Sequence, residues 1–209
     1  MIPSTLSGPI QELLLTCSMD ERNRCPWSSS NPIYVDYHDR EWGVPVRDDR
    51  KQFEFLVLES AQAGLSWLTI LKRRTGYKRL YANFDARQVA QFDESRIVSM
   101  LQDPGIIRNR KKIESSINNA RLFLDIQDKH GSFSSYLWGF LDGKPKVNHF
   151  SSLSEIPANT PLSDTISKEM KKMGFSFLGS TIIYAHLQAT GLVNDHLVSC
   201  FRHRECMEQ

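Results

Sequence analysis

The chain has 209 residues, 40% of them hydrophobic and 24% charged, with a formal net charge of +2. That is enough apolar material for one large domain or two small ones, and too little net charge for a global field that attracts polyanions, so any grip on nucleic acid must come from a local patch. Four cysteines are too sparse for a disulfide scaffold, no basic leader precedes the short Leu13-Leu14-Leu15 run, and no stretch approaches the roughly 18 apolar residues of a membrane span. The expected setting is reducing and membrane-free: cytoplasmic, or nuclear in a eukaryote.

Residues 1–23 carry Pro3, Gly8, Pro9 and a polar stretch from Ser18 to Asn23, and they read as a loosely ordered N-terminal extension. Residues 25–47 are rich in aromatics, Pro and Ser, so their order is expected to come from side-chain anchoring more than from regular ladders. From Asp48 the pattern turns helical. Asp49 is a candidate cap, Phe53, Leu56, Val57, Ser60 and Ala61 recur at helical spacing, and Gly64 supplies a stop. Ser66 can cap a second helix running through Leu68, Ile70 and Leu71 toward Tyr81. Further helices are predicted over residues 86–90, 94–101, 110–129, 132–141, 163–173 and 181–189, with a last one starting near Asn194. No segment alternates as a strand and nothing repeats, so the expected fold is all-α, with room for two lobes divided by a cleft.

Cys25-x12-His38 near the start and His196-x3-Cys200 near the end supply two thiolates and two imidazoles, the ligand set of a closed tetrahedral zinc site. On the expected last helix, His196 and Cys200 would share a face one turn apart. The first pair has no such help, Cys17, Cys206, His186 and His203 are competing ligands, and buried apolar cysteines beside polar histidines would explain the same residues.

Glu59 sits in Phe55-Leu56-Val57-Leu58-Glu59-Ser60-Ala61-Gln62-Ala63, with Phe55, Leu56, Gln62 and Ala63 as its helical neighbours. A carboxylate turned into a mainly apolar interior must be hydrogen-bonded or paired, or burial raises its pKa, so it is either a satisfied structural acid or a site. Trp27, Tyr37, Trp42 and Trp67 flank the same elements. Flat rings beside a carboxylate suit a pocket that stacks a base and bonds its edge, although any one ring could be plain core.

Residues 100–113 read as a helix, a tight Asp103-Pro104-Gly105 turn and a basic second helix start bearing Arg108, Arg110, Lys111 and Lys112. Exposed backbone N–H groups at a helix N-terminus beside cations suit a phosphate, which would position the protein on a nucleic acid without reading its bases; a solvated basic face is the alternative.

With these residues in view the sequence resembles the 3-methyladenine DNA glycosylase I family of the helix-hairpin-helix glycosylases over roughly residues 24–201. The resemblance is carried by Arg24-Cys25-Pro26-Trp27, by residues 37–45 (YHDREWGVP), by residues 58–67 (LESAQAGLSW), by Asp103-Pro104-Gly105-Ile106-Ile107-Arg108 and by Gly191-Leu192-Val193-Asn194-Asp195-His196. It implies a helix-hairpin-helix domain over 24–201 with residues 202–209 as a C-terminal tail, and a single structural Zn2+ on Cys25, His38, His196 and Cys200. It makes Glu59 the base-reading and catalytic carboxylate, with Tyr37, Trp67 and Trp27 as pocket aromatics. Gly64 and Leu65 would approach the gap left in the duplex, and Gly105, Ile106, Arg108, Arg110 and Lys111 would contact its backbone.

The implied activity is base-excision repair by a monomer. 3-Methyladenine is flipped from double-stranded DNA and released by hydrolysis as the free base, without the strand cleavage that a lysine nucleophile would bring. Because the family lacks the Asp that related glycosylases place after the hairpin, Glu59 is expected to carry more of the load, in recognition first and in activating water second.

Overall fold

The computed structural model describes residues 22–28 and 31–207, so the expected N-terminal extension, with Cys17, lies almost wholly outside the described residues. Helices dominate: α1 (Pro32–Arg40), α2 (Asp49–Gln62), α3 (Trp67–Leu71), α4 (Arg74–Leu80), α5 (Ala86–Val89), α6 (Glu94–Gln102), α7 (Arg110–His130), α8 (Phe133–Gly139), α9 (Pro161–Met173), α10 (Ser180–Ala189) and α11 (Phe201–Glu205). Among the described residues, strand is confined to one two-residue parallel pairing of β1 (Lys146–Val147) with β2 (Val193–Asn194). The all-α expectation therefore holds.

Helix α2 organises the interior. Residues 52–61 of it are buried almost without interruption because it is covered on two sides. Phe53, Leu56, Val57 and Leu58 belong to the larger hydrophobic cluster, built with α4, α6, α7, α8, α9 and α10, whereas Phe55 joins a smaller one with Cys25, Tyr37, Trp42, Leu71, Leu197 and Cys200. Lys112, at the start of α7, donates from Nζ to the carbonyl oxygens of Ala61 and Ala63, each at 2.7 Å, and so satisfies open carbonyls at the end of α2.

Four local expectations are corrected. Residues 25–47, expected to owe their order more to side-chain anchoring than to regular ladders, contain helix α1, capped by Asn31, whose side chain accepts from the Ile33 N–H, with Pro32 in the first turn. Asp48, not Asp49, caps α2; the Asp49 carboxylate instead accepts from the N–H groups of Phe133 and Ser134 at 2.8 Å and caps α8 from a distance. The helix expected from Ser66 to Tyr81 breaks at Lys72–Arg73 into α3 and α4. That break lets α4 back onto the hairpin turn, where a Cβ on Gly76 would lie 2.2 Å from the Gly105 carbonyl oxygen, so only glycine fits.

The backbone at Asn194 also departs from expectation. No helix starts there: Lys146 N–H donates to the Leu192 carbonyl and Asn148 N–H to the Asn194 carbonyl, which draws the backbone into the strand pairing, and the next helix begins only at Phe201. Residues at the expected C-terminal tail pack back, with Arg202, His203 and Cys206 buried.

Candidate active site

The two ends of the described chain meet at Cys25, His38, His196 and Cys200, all buried, with one ligand atom from each lying within 4.8 Å of all the others. His196 and Cys200 reach this cluster from a turn and not from one helix face, so the face-sharing expected for them is wrong, although the meeting itself is observed. Cys25 Sγ lies 3.7 Å and Cys200 Sγ 3.6 Å from His196 Nδ1, and Cys200 Sγ lies 3.4 Å from His38 Nε2.

An ion bound tetrahedrally at about 2.3 Å from sulfur and about 2.05 Å from nitrogen sets S···N edges of roughly 3.5 Å, so the four side chains fit a metal. The outer nitrogens are also spoken for. His38 Nδ1 meets Asp39 Oδ1 at 2.8 Å, and His196 Nε2 meets the Trp42 carbonyl oxygen at 2.9 Å, which fixes both rings with their inner lone pairs toward the cluster. The hydrogen bond from Cys25 lowers the pKa of the Cys200 thiol, favouring a thiolate there. Of the competing ligands within the described residues, none joins: Cys206 is a separate buried thiol, His203 bonds the Asn148 carbonyl, and His186 is engaged elsewhere.

The cluster braces an aromatic wall. Trp27 meets His38 edge-on at 5.3 Å and Trp42 at 5.1 Å, Trp42 meets His196 at 4.5 Å, and Tyr37 meets Trp67 at 5.6 Å. Trp27, Tyr37, Trp42 and Trp67 line a cavity of about 370 Å³ with Glu59, Gln62, Leu153, Ile156, Ala185, Gln188 and Ala189. Two buried polar atoms of its lining residues, Glu59 Oε1 and Trp67 Nε1, have no hydrogen-bond partner among the described residues. Tyr37 is pushed well up by burial and then by the nearby Glu59 carboxylate, so its phenol keeps its proton.

Glu59 has a partner that its own helix does not reveal. His186 Nδ1 of α10 lies 2.8 Å from Glu59 Oε2, and His186 Nε2 lies 2.7 Å from Gln52 Oε1. Burial raises the Glu59 pKa, and the charge of His186 and its hydrogen bond oppose that rise. Sequence reasoning treated His186 only as a rival metal ligand and passed over Gln52, Leu153 and Gln188. The signal that flagged Glu59 was available for His186 as well: Ile182, Ile183, Ala189 and Thr190 are its helical neighbours, so it too is polar in an apolar setting.

The hairpin between α6 and α7 has its turn pinned by Asp103, which accepts from the Gly105 N–H at 2.8 Å and pairs with Arg79. Ile106 is buried and anchors the loop. The four cations divide unequally: Lys112 is committed to α2 and Arg110 pairs with Glu94 and Glu114, whereas Arg108 and Lys111 are exposed and carry no ion pair among the described residues. Gly64, at φ +79° with open space where a Cβ would stand, precedes Leu65, one of the exposed large apolar side chains.

A helical hairpin, a ring-lined cavity with a buried carboxylate, and described ends joined at a Cys2His2 cluster are the features expected of a helix-hairpin-helix DNA glycosylase. Comparison narrows this further. A family model described as methyladenine glycosylase matches residues 27–203. Over 177 residues, 85% of this chain, the sequence is 48% identical to DNA-3-methyladenine glycosylase 1 of Escherichia coli strain K12, covering 95% of that protein, and 43% identical to DNA-3-methyladenine glycosylase of Haemophilus influenzae, covering 96%. A crystal structure of a tyrosine-to-phenylalanine variant of 3-methyladenine DNA glycosylase I in complex with 3-methyladenine superposes with a TM-score of 0.83 at 37% identity, covering 86% of this chain and 96% of that one. The chain belongs to the 3-methyladenine DNA glycosylase I family.

Proposed function

We infer that this protein excises 3-methyladenine from alkylated DNA as a base-excision repair glycosylase, and the observation that carries the reading is the unpartnered Glu59 Oε1 in an aromatic cavity. Methylation at N3 makes the base a cation and a good leaving group. Rings such as Tyr37, Trp67 and Trp27 attract a cation that neutral adenine does not offer them, and stacking adds about 1–3 kcal/mol per base. Glu59 Oε1 accepts a hydrogen bond from the base edge.

Water then bonds to the sugar carbon as the C–N bond breaks; the bonding pair leaves with the base, now neutral, and the water gives up a proton to solvent. Among the described residues no lysine lines the cavity, which supports hydrolysis without a covalent sugar adduct. Arg108 and Lys111 grip phosphate of double-stranded DNA, and Leu65 wedges into the gap left by the flipped nucleotide. Cys25, His38, His196 and Cys200 would hold Zn2+, the ion that a set of two thiolates and two imidazoles favours. With all four positions taken by side chains, its part is to hold the pocket wall in place.

The test is release of labelled bases from methylated duplex DNA. The expected result is free 3-methyladenine and an intact strand carrying an abasic site; strand cleavage beyond the spontaneous background would refute hydrolysis, and absence of 3-methyladenine release would refute the function. In the same assay series, the double variant Arg108→Ala with Lys111→Ala should flatten the plot of log affinity against log salt by about 2, roughly 0.9 for each phosphate that the protein no longer neutralises. An unchanged slope would take both residues out of the DNA interface.

A further inference from the structure

We propose that His186 is a positioning residue for base release: it shares one proton with Glu59 Oε2, which leaves Oε1 as the fixed acceptor for the cavity and holds the carboxylate–imidazole pair at zero net charge. The inference rests on the glycosylase reading above and concerns how its pocket distinguishes the reacting state from the bound substrate.

The proton count follows from hydrogen-bond geometry. Gln52 donates from Nε2 to the Val46 carbonyl oxygen at 3.0 Å, and a carbonyl can only accept. Gln52 therefore turns its own oxygen to His186, so His186 Nε2 must carry a hydrogen to make its 2.7 Å contact. That leaves Nδ1, 2.8 Å from Glu59 Oε2, where a bare lone pair would face a carboxylate; a proton must lie between them. Whichever atom holds it more closely, the two residues together are neutral. The frame is rigid: Val46 N–H donates to the Thr190 carbonyl, and Val46 O also accepts from the Trp138 indole. The other titratable group against Glu59 is Tyr37 of α1, a protonated phenol; Glu41 and Arg74, beyond it, are paired with each other.

This neutrality matters because the base loses its positive charge as the bond breaks. A lone buried carboxylate would favour the cationic base of the bound substrate over the departing neutral base, and so would tighten binding while slowing the reaction. The countercharge on His186 limits that ground-state preference, and Oε1 remains an acceptor in both states.

The test is His186→Asn, measured with methylated duplex DNA between about pH 5 and 8. The Asn amide nitrogen can stand where Nδ1 stood and donate to Glu59 Oε2, but it carries no charge and does not reach Gln52. Glu59 then titrates alone, from a pKa raised by burial. The expected result is a split that wild type lacks: as pH rises and Glu59 ionises, KM stays equal or falls while kcat drops roughly 10- to 100-fold, the loss of a charged hydrogen bond.

A pH profile and kcat equal to wild type would overturn the proposal, as would parallel losses in binding and rate with no pH dependence, which mark a structural role. Should that variant melt too low to assay, Gln52→Met carries the test, since it keeps both partners and removes only the acceptor that fixes the Nε2 proton. The same split, smaller at roughly 3- to 10-fold, is expected, and an unchanged profile overturns the proposal. Wild-type protein that releases no 3-methyladenine would instead sink the glycosylase reading itself.

Discussion

Cys200→Ser is expected to cost the protein its bound metal and at least about 4 kcal/mol of stability, a fall in Tm on the order of 10 °C for a chain of this size. Cys25, His38, His196 and Cys200 are all buried, and the small hydrophobic cluster contains both cysteines together with Tyr37, Trp42 and Phe55. Without an ion the remaining thiol and imidazoles are desolvated groups with incomplete partners, which is costly. Structural zinc sites contribute roughly 10–16 kcal/mol of binding free energy in isolated fingers, and an ion held by these four side chains would tie residues near Cys25 to those near Cys200.

The damage should be uneven. Trp27 and Trp42 rest on His38 and His196, so base release should fall with metal content, whereas the hairpin packs in the larger cluster and DNA binding should persist. Elemental analysis, melting curves and base release on wild type, Cys200→Ser and Cys206→Ser decide it. Cys206 is buried outside the ligand set and serves as the control. Full metal retention by Cys200→Ser would remove that residue from the site.

The helices legible in the sequence were those whose apolar spacing and caps agree. Asn109 and Ser132 each cap the helix that follows them, and α7 and α9 each show one apolar face. What failed were places where distant contacts overrule local preference. Asp49 looks like a cap of its own helix, yet its carboxylate serves α8, 84 residues downstream, and Asp48 takes the local role. Residues around Asn194 look helical until β1 claims their backbone.

The site divides the same way. Residue physics marks Glu59 as a buried acid, and the ligand types of Cys25, His38, His196 and Cys200 suggest a metal, but spacing cannot show that ends 171 residues apart meet. The link between Glu59 and His186 spans 127 residues and leaves no local trace beyond a polar group on each of two apolar helices.

Glu59→Gln should reduce release of 3-methyladenine by about 10²-fold or more while changing affinity for undamaged DNA little, the loss expected when one electrostatic group in a water-poor site is removed. Glu59 lies in the cavity, apart from the exposed Arg108 and Lys111, so the grip on phosphate survives the change. The amide fills the same volume, but it needs no shared proton. His186, with Nε2–H still fixed by Gln52, can accept from the new NH2 through Nδ1, which leaves a neutral amide oxygen where a carboxylate oxygen stood.

Glu59→Gln therefore removes the negative end of the pair, and His186→Asn removes the positive end. Both variants should slow base release, but binding of the damaged base should move in opposite directions, weaker for Glu59→Gln and equal or tighter for His186→Asn. A pocket that merely senses alkylated DNA has no release to lose and would show only the changes in binding. Binding that weakens equally in the two variants would mean that shape, and not the charge held between Glu59 and His186, governs the pocket.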